Sequence, residues 1–139
     1  MKRRFAFYSD TCELAEVRRV ARAFLEECGL ADSEILILAL DEACTNIIRY
    51  AYGHARKPMR LEMERRRDRL RFVLRDYGKP CDLDCIRSRA LEDFRPGGLG
   101  VHIIKHAFDH VSYEPQIRGT KLVLEKLLPA GTNSSACRA

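Results

Sequence analysis

No apolar run in this chain of 139 residues approaches the ~20 that a membrane-spanning helix needs. The basic start, Met1-Lys2-Arg3-Arg4, is followed only by Phe5-Ala6-Phe7-Tyr8, too short a stretch for a signal-peptide core. These two absences lead to the expectation of a cytoplasmic protein. In that compartment six cysteines are expected to be thiols rather than a disulfide framework. The dinucleotide fingerprint and the Walker loop are also missing: the glycines of Gly97-Gly98-Leu99-Gly100 have the wrong spacing, and no Lys-Ser/Thr follows. No segment matches a nucleic-acid module. A net charge of +5 and a pI of about 9.0 favour acidic partners. The run Arg65-Arg66-Arg67-Asp68-Arg69, however, falls at a predicted hairpin turn without interleaved aromatics and reads as a solvated turn.

What is present is the composition of one globular domain, 46% hydrophobic and 32% charged, with enough chain for a sizeable core. The alternation of Phe5 and Phe7 predicts a strand over 3–8. Ser9 or Asp10 can cap the next helix. That helix runs to about Cys28, with Leu14, Val17, Val20, Ala21, Phe24 and Leu25 on one face, and Gly29 ends it. Asp32 or Ser33 caps a second helix, in which Leu36, Leu40, Ala43, Ile47 and Tyr50 form an apolar stripe and which Gly53 closes. A connector over 54–58 leads to a hairpin over 59–66 and 69–75. From 77 to 98 the pattern fails, apart from one short helical turn around 84–91. A segment of that length reads as a functional lid and is expected to be the most mobile part of the domain. A third helix over 99–108 turns Val101, Ile104, Ala107 and Phe108 inward, and strands come next at 111–113 and 121–127. The tail 129–139 is expected to be disordered. The order β-α-α-β-β-α-β-β over 1–128 predicts an α/β (α+β) two-layer sandwich: a mainly antiparallel mixed sheet with three helices on one face.

Four short segments carry chemistry. Glu42 and Asn46, four apart, share a helix face beside the apolar stripe, where a solvated face would more often follow Glu with Lys or Arg. Asp76 ends an apolar strand and Gly78 stands two positions later. The carboxylate can accept from an exocyclic amine and the glycine lets a flat ring approach the backbone, although a plain Asp-x-Gly turn has the same residues. Gly97, Gly98 and Gly100 open the third helix and form either an anion site of bare N–H groups or a hinge. Gly119-Thr120, at the start of the last strand, says little alone.

Together, in this order and spacing, the segments resemble the Bergerat-fold ATP-binding domain of the GHKL superfamily over 5–128. The short chain is similar to its stand-alone anti-sigma-factor and serine-protein-kinase branch. Glu42-x3-Asn46 resembles the N box, Asp76-x-Gly78-x-Pro80 the first glycine box, Gly98-x-Gly100 the second, and Gly119-Thr120 the last motif. The branch-typical helix ending Ala107-Phe108-Asp109 comes after the second box. The resemblance implies that Glu42 is the general base for an attacking hydroxyl and that Asn46 ligates Mg²⁺. It implies that Asp76 binds the adenine amino group, with Thr120 in support through water, that Gly78 lines the adenine pocket, and that Gly98 and Gly100 meet the phosphates. The implied activity is that of an ATP- and Mg²⁺-dependent serine/threonine protein kinase. It would phosphorylate an anti-anti-sigma (STAS-type) protein and sequester a sigma factor, with a homodimer common in the branch and no direct contact with nucleic acid or membrane. Tyr50 stands where the branch often has His, and the segment between Pro80 and Gly97 is short and carries Cys81 and Cys85.

The alternative is a non-catalytic, nucleotide-gated binding module; Glu42 favours the enzyme, because a module needs no base there. The catalytic fragment of a sensor histidine kinase would have a dimerisation helix pair with a phosphoacceptor His before the N box, and none precedes it here. His102, His106 and His110, spaced four apart, would share a helix face and with Cys81 or Cys85 could bind zinc. No closed four-ligand spacing accompanies them, so a half-exposed polar face is expected. Cys81-x3-Cys85 is read as incidental cysteines ahead of a redox pair. Arg87, Arg89 and Arg95 suit either a solvated loop or contact with phosphate or an acidic partner.

Overall fold

The computed structural model describes residues 1–30, 33–53, 55–78 and 100–129. The expectations for Asp32 as a cap, for Gly98, for Cys81 and Cys85, for the lid with its arginines and for the tail lie outside them. Strand β1 is Lys2–Tyr8; a 3₁₀ turn, Thr11–Glu13, leads into α1, Leu14–Glu27. Helix α2, Glu34–Asn46, continues into a π-helical turn, Ile47–Ala51. Strands β2, Pro58–Arg65, and β3, Arg69–Asp76, form a hairpin. Helix α3, Gly100–Ala107, precedes a second hairpin of β4, His110–Pro115, and β5, Thr120–Leu127.

The strand order is β1-β2-β3-β5-β4. Every pairing among the described strands is antiparallel, so the expected mixed sheet is in fact uniformly antiparallel. The reason is geometric. Two helices in succession reverse the chain twice, so β2 starts at the end of the sheet where β1 stops. Likewise α3 returns the chain to the far end before β4, and β5 then runs against β3.

Alternation along the strands gives the sheet two unlike faces. Met59, Leu61 and Met63 of β2, Leu70, Phe72 and Leu74 of β3, and Leu122 and Leu124 of β5 are buried on one. They pack in a single cluster with Leu14, Val17, Ala21, Phe24 and Leu25 of α1, Leu36, Leu40 and Ala43 of α2, and Ile104 and Ala107 of α3. Burying each large side chain contributes roughly 1.5–3 kcal/mol. Phe72 sits at the centre, edge-on to Phe24 at 6.2 Å and to Phe108 at 5.7 Å, and so ties both helical ends to the sheet. The other face carries cross-strand ion pairs: Arg4–Glu62 at 3.2 Å, Arg69–Glu125 at 3.4 Å and Arg71–Glu125 at 3.8 Å. No helix of the described residues is long and apolar enough to cross a membrane. Cys12, Cys28 and Cys44 carry thiols, the last two buried.

Several local expectations change. The α-helical ladder of α2 stops at Asn46 rather than near Gly53, because the chain widens into the π turn. The buried face of α2 is broader than one stripe and includes Ile37, Ala39 and Cys44, whereas Tyr50 is only half-buried. Asp10, not Ser9, caps the first turn: its Oδ1 accepts the Cys12 N–H at 2.9 Å. Ser33 occupies the N-cap of α2 without a side-chain bond. Arg65, read as part of a solvated turn, follows the inward alternation of Met59, Leu61 and Met63 and is buried. Its N–H donates to the Met1 carbonyl at 2.9 Å, and the Leu128 N–H donates to the Asp68 carbonyl at 2.8 Å. Both chain ends of the folded core thus abut the β2–β3 turn.

Candidate functional site

Asp76 is the last residue of β3, in phase with Phe72 and Leu74, so its side chain turns toward the helical layer. It is 2% exposed, and its Oδ1 accepts the Gly78 N–H at 3.1 Å. One step beyond the paired register Arg75↔Lys121, Asp76 stands opposite Thr120, the first residue of β5, on the same face. Thr120 is also buried. The Arg75 guanidinium lies 4.5 Å over the Tyr77 ring and donates to the carbonyls of Asp76 and Thr120, closing this strand end from the side.

Two glycines here are required by neighbouring backbone. Gly119 has φ +80°, and a Cβ on it would lie 2.6 Å from the Asp76 carbonyl carbon and 2.7 Å from Tyr77 Cα. At Gly78 a Cβ would lie 3.0 Å from the Ala51 carbonyl carbon and 3.1 Å from Tyr52 Cδ1. The expected reason for Gly78 was the approach of a flat ring. The observed close neighbour is the end of the π turn.

That contact joins the first two sequence segments. Glu42 and Asn46 occupy the last turn of α2, four apart on one face and each half-buried. The helix is fixed from the side where Arg18 of α1 meets Asp41 at 2.6 Å. From Asn46 the chain passes through the π turn to Ala51 and Tyr52, against which Gly78 packs. Tyr52, which sequence reasoning missed, is buried, and its hydroxyl accepts the Tyr77 N–H and donates to the Pro58 carbonyl, both at 2.6 Å. Burial holds its phenol above the ordinary tyrosine range. The one signal for it was an aromatic just past the apolar stripe whose hydroxyl would need a partner once buried. Ser9 has a similar tying role: its Oγ donates to Ala55 O at 2.6 Å and accepts the Lys57 N–H at 2.8 Å, fastening β1 to the connector before β2.

Gly100 is the first residue of α3. The other end of that helix leads to Asp109, whose N–H donates to Glu125 O at 2.9 Å, at the end of the sheet remote from Asp76. The N-terminus of α3 is therefore directed toward the Asp76 end. Asp76, Gly78 and Thr120 meet at that end, Glu42 and Asn46 lie on the helix whose continuation, Ala51 and Tyr52, packs against Gly78, and Gly98 lies outside the described residues. The histidines do not gather: His102 and His106 are on α3, but His110 belongs to β4, so the helical spacing breaks at the third.

The arrangement offers a buried carboxylate beside a hydroxyl at a strand end, a half-exposed carboxylate and carboxamide on a neighbouring helix, and a glycine-started helix. A carboxylate held by a backbone N–H can accept from an amine. Among the described residues no cluster of three or more His, Cys, Asp or Glu could hold a metal ion. A divalent cation here would depend on Asn46 and on oxygens brought by a ligand, which suits Mg²⁺.

The family model described as histidine kinase-like ATPase domain matches residues 7–126. Among curated proteins, the serine-protein kinase RsbW of Halalkalibacterium halodurans is 30% identical over 105 residues, which cover 70% of this chain and 64% of that protein. The serine-protein kinase RsbW of Bacillus cereus is 28% identical over 108 residues, covering 70% and 68% respectively. That of Bacillus velezensis is 27% identical over 106 residues, covering 70% and 66%. The chain thus spans less than two thirds of the length of the first of these relatives.

Proposed function

Because the chain belongs to the histidine kinase-like ATPase family, we propose that it is an ATP-dependent serine/threonine protein kinase that controls a sigma factor. The reading rests on one observation above others: the helix end after Glu42 and Asn46 packs directly on the strand end of Asp76, through Ala51 and Gly78. A ligand with a base at one end and phosphates at the other can span the two.

In this reading Asp76 accepts the adenine amino group, Thr120 supports it, and Gly78 lines the pocket. Gly98 and Gly100 present N–H groups to the phosphates. Asn46 holds Mg²⁺, which when bound neutralises charge on the phosphates. Glu42 takes the proton from a serine or threonine hydroxyl as its oxygen bonds to the γ-phosphorus and ADP leaves. Its half-exposed position lets another protein's side chain reach it. The relatives' names support serine as an acceptor. The acceptor we propose is an anti-anti-sigma (STAS-type) protein and the sequestered client a sigma factor, both in the cytoplasm, with the domain spanning 1–128.

The test separates the two residues. Asn46→Ala should weaken Mg²⁺-ATP binding and phosphotransfer together. Glu42→Gln should leave ATP binding nearly intact and slow transfer by ~10²–10⁴-fold, the usual contribution of a positioned base. Labelled γ-phosphate transfer to the cognate anti-anti-sigma protein, run beside an ATP titration, reads both. Wild-type rates in Glu42→Gln would remove Glu42 as the base. Tight ATP binding without any transfer by the wild type would make the protein a nucleotide-gated binding module instead.

A further inference from the structure

We propose that Tyr52 is a positioning residue that couples the two halves of the nucleotide site, its hydroxyl holding the helix end of Glu42 and Asn46 in register with the strand end of Asp76. The inference rests on the nucleotide reading above and adds a residue to it. Three observations carry it. The Tyr52 hydroxyl has two short bonds that leave the helix: it accepts from the Tyr77 N–H, one residue past Asp76, and donates to Pro58 O, which opens β2. Gly78 packs with no room for a side chain against Ala51 and the Tyr52 ring, so the same two segments touch twice. The π turn Ile47–Ala51 lies between Asn46 and Tyr52. A π turn rotates the residues beyond it out of the α-helical register, and here the residue delivered by that rotation is the one whose hydroxyl crosses to β3.

The size of the ligand gives this tie its consequence. Adenine and γ-phosphate lie at opposite ends of one molecule, so the protein must hold both contact sets at a fixed spacing. A displacement of about 1 Å between groups that must act together can cost ~10²-fold in rate. Only 6% of Tyr52 is exposed, and removing the hydroxyl leaves the Tyr77 N–H and the Pro58 carbonyl without it. The raised phenol keeps the proton on the donor through the neutral range.

The experiment uses Tyr52→Phe in the full chain, with three measurements. Amide exchange at Tyr77, followed by NMR without nucleotide, reads the tie itself and should quicken at least about tenfold, in line with loss of one bond to a buried N–H. Calorimetric titration with ATP and GTP, at a temperature where both proteins are folded, should show an ATP Kd raised about five- to twentyfold and a smaller preference for ATP over GTP. Phosphotransfer at saturating ATP should also fall, because Glu42 sits on the displaced helix. Unchanged Tyr77 exchange would show that the bond holds nothing. Quickened exchange with unchanged ATP Kd, nucleotide preference and transfer would make Tyr52 merely structural. Either result overturns the proposal. If Tyr52→Phe does not fold, 3-fluorotyrosine at position 52, whose oxygen is a weaker acceptor, should raise the ATP Kd in the same direction, and no change would overturn it. A wild type that binds neither nucleotide defeats the nucleotide reading itself. A wild type that prefers ATP beside a variant that binds it as tightly defeats only the role of Tyr52.

Discussion

Asp76 bonds through its side chain to the backbone of Gly78, and that bond is separable from the charge the carboxylate carries. Its Oδ1 accepts the Gly78 N–H, while Gly119 lets β5 close onto its carbonyl. Asparagine retains an oxygen for the Gly78 bond but lacks the charge. Asp76→Asn should therefore melt within a few degrees of the wild type, yet lose its preference for ATP over GTP, since the amine's charged acceptor is gone. Thermal-shift titration with the two nucleotides measures both quantities. A variant that still prefers ATP would show that Asp76 does not read the base. The sequence pointed to Asp76 and Gly78 as a pair and offered the approach of a flat ring as a reason for the glycine. A further reason is the backbone of Ala51, 27 residues away in the chain, and no local pattern encodes such a contact. Tyr52 was hidden for a similar cause: its partners, Pro58 and Tyr77, meet it only after the sheet has formed.

The elements legible in the sequence were those whose one-sided patterning is strong. Helix α1 buries Leu14, Val17, Ala21, Phe24 and Leu25, with Val20 at its margin, and the hairpin strands alternate as read. The end of α2 was not legible, because Ile47, Ile48 and Tyr52 supply apolar residues that fit an α or a π turn alike. The segment joining α3 to β4 shows how a single side chain fixes a junction. The Asp109 Oδ2 accepts the Leu127 N–H at 2.7 Å, with Lys126 at 3.6 Å. The Leu127 N–H, and then Lys126, hold its carboxyl below the ordinary aspartate range. A lowered folded-state pKa contributes stability that is complete above the unfolded value, ~3.9, and is lost as pH falls through the folded one. Asp109→Asn should thus melt below the wild type near neutrality, and the gap should narrow as pH drops below about 4. Parallel melting curves across that range check it; a gap independent of pH would mean the carboxylate's charge contributes nothing.

At the scale of the whole molecule, the two-layer architecture could be read from element order, because hairpins and paired helices leave few ways to cover one face of a sheet. The uniform antiparallel pairing needed the register as well. If ATP binds only the folded chain, Mg²⁺-ATP at a hundred times its Kd should stabilise the protein by about 2.7 kcal/mol, seen as a rise in Tm that grows with the logarithm of nucleotide concentration. A Tm indifferent to Mg²⁺-ATP would count against the site as a whole. The placement of the chain ends has a practical corollary for protein engineering. Met1 and Leu128 flank the β2–β3 turn, three strand spacings or roughly 14 Å apart, and Asp76 lies about 23 Å away at the other end of β3. A fluorescent label or an immobilising handle carried at Met1 would therefore sit at the end of the sheet remote from Asp76.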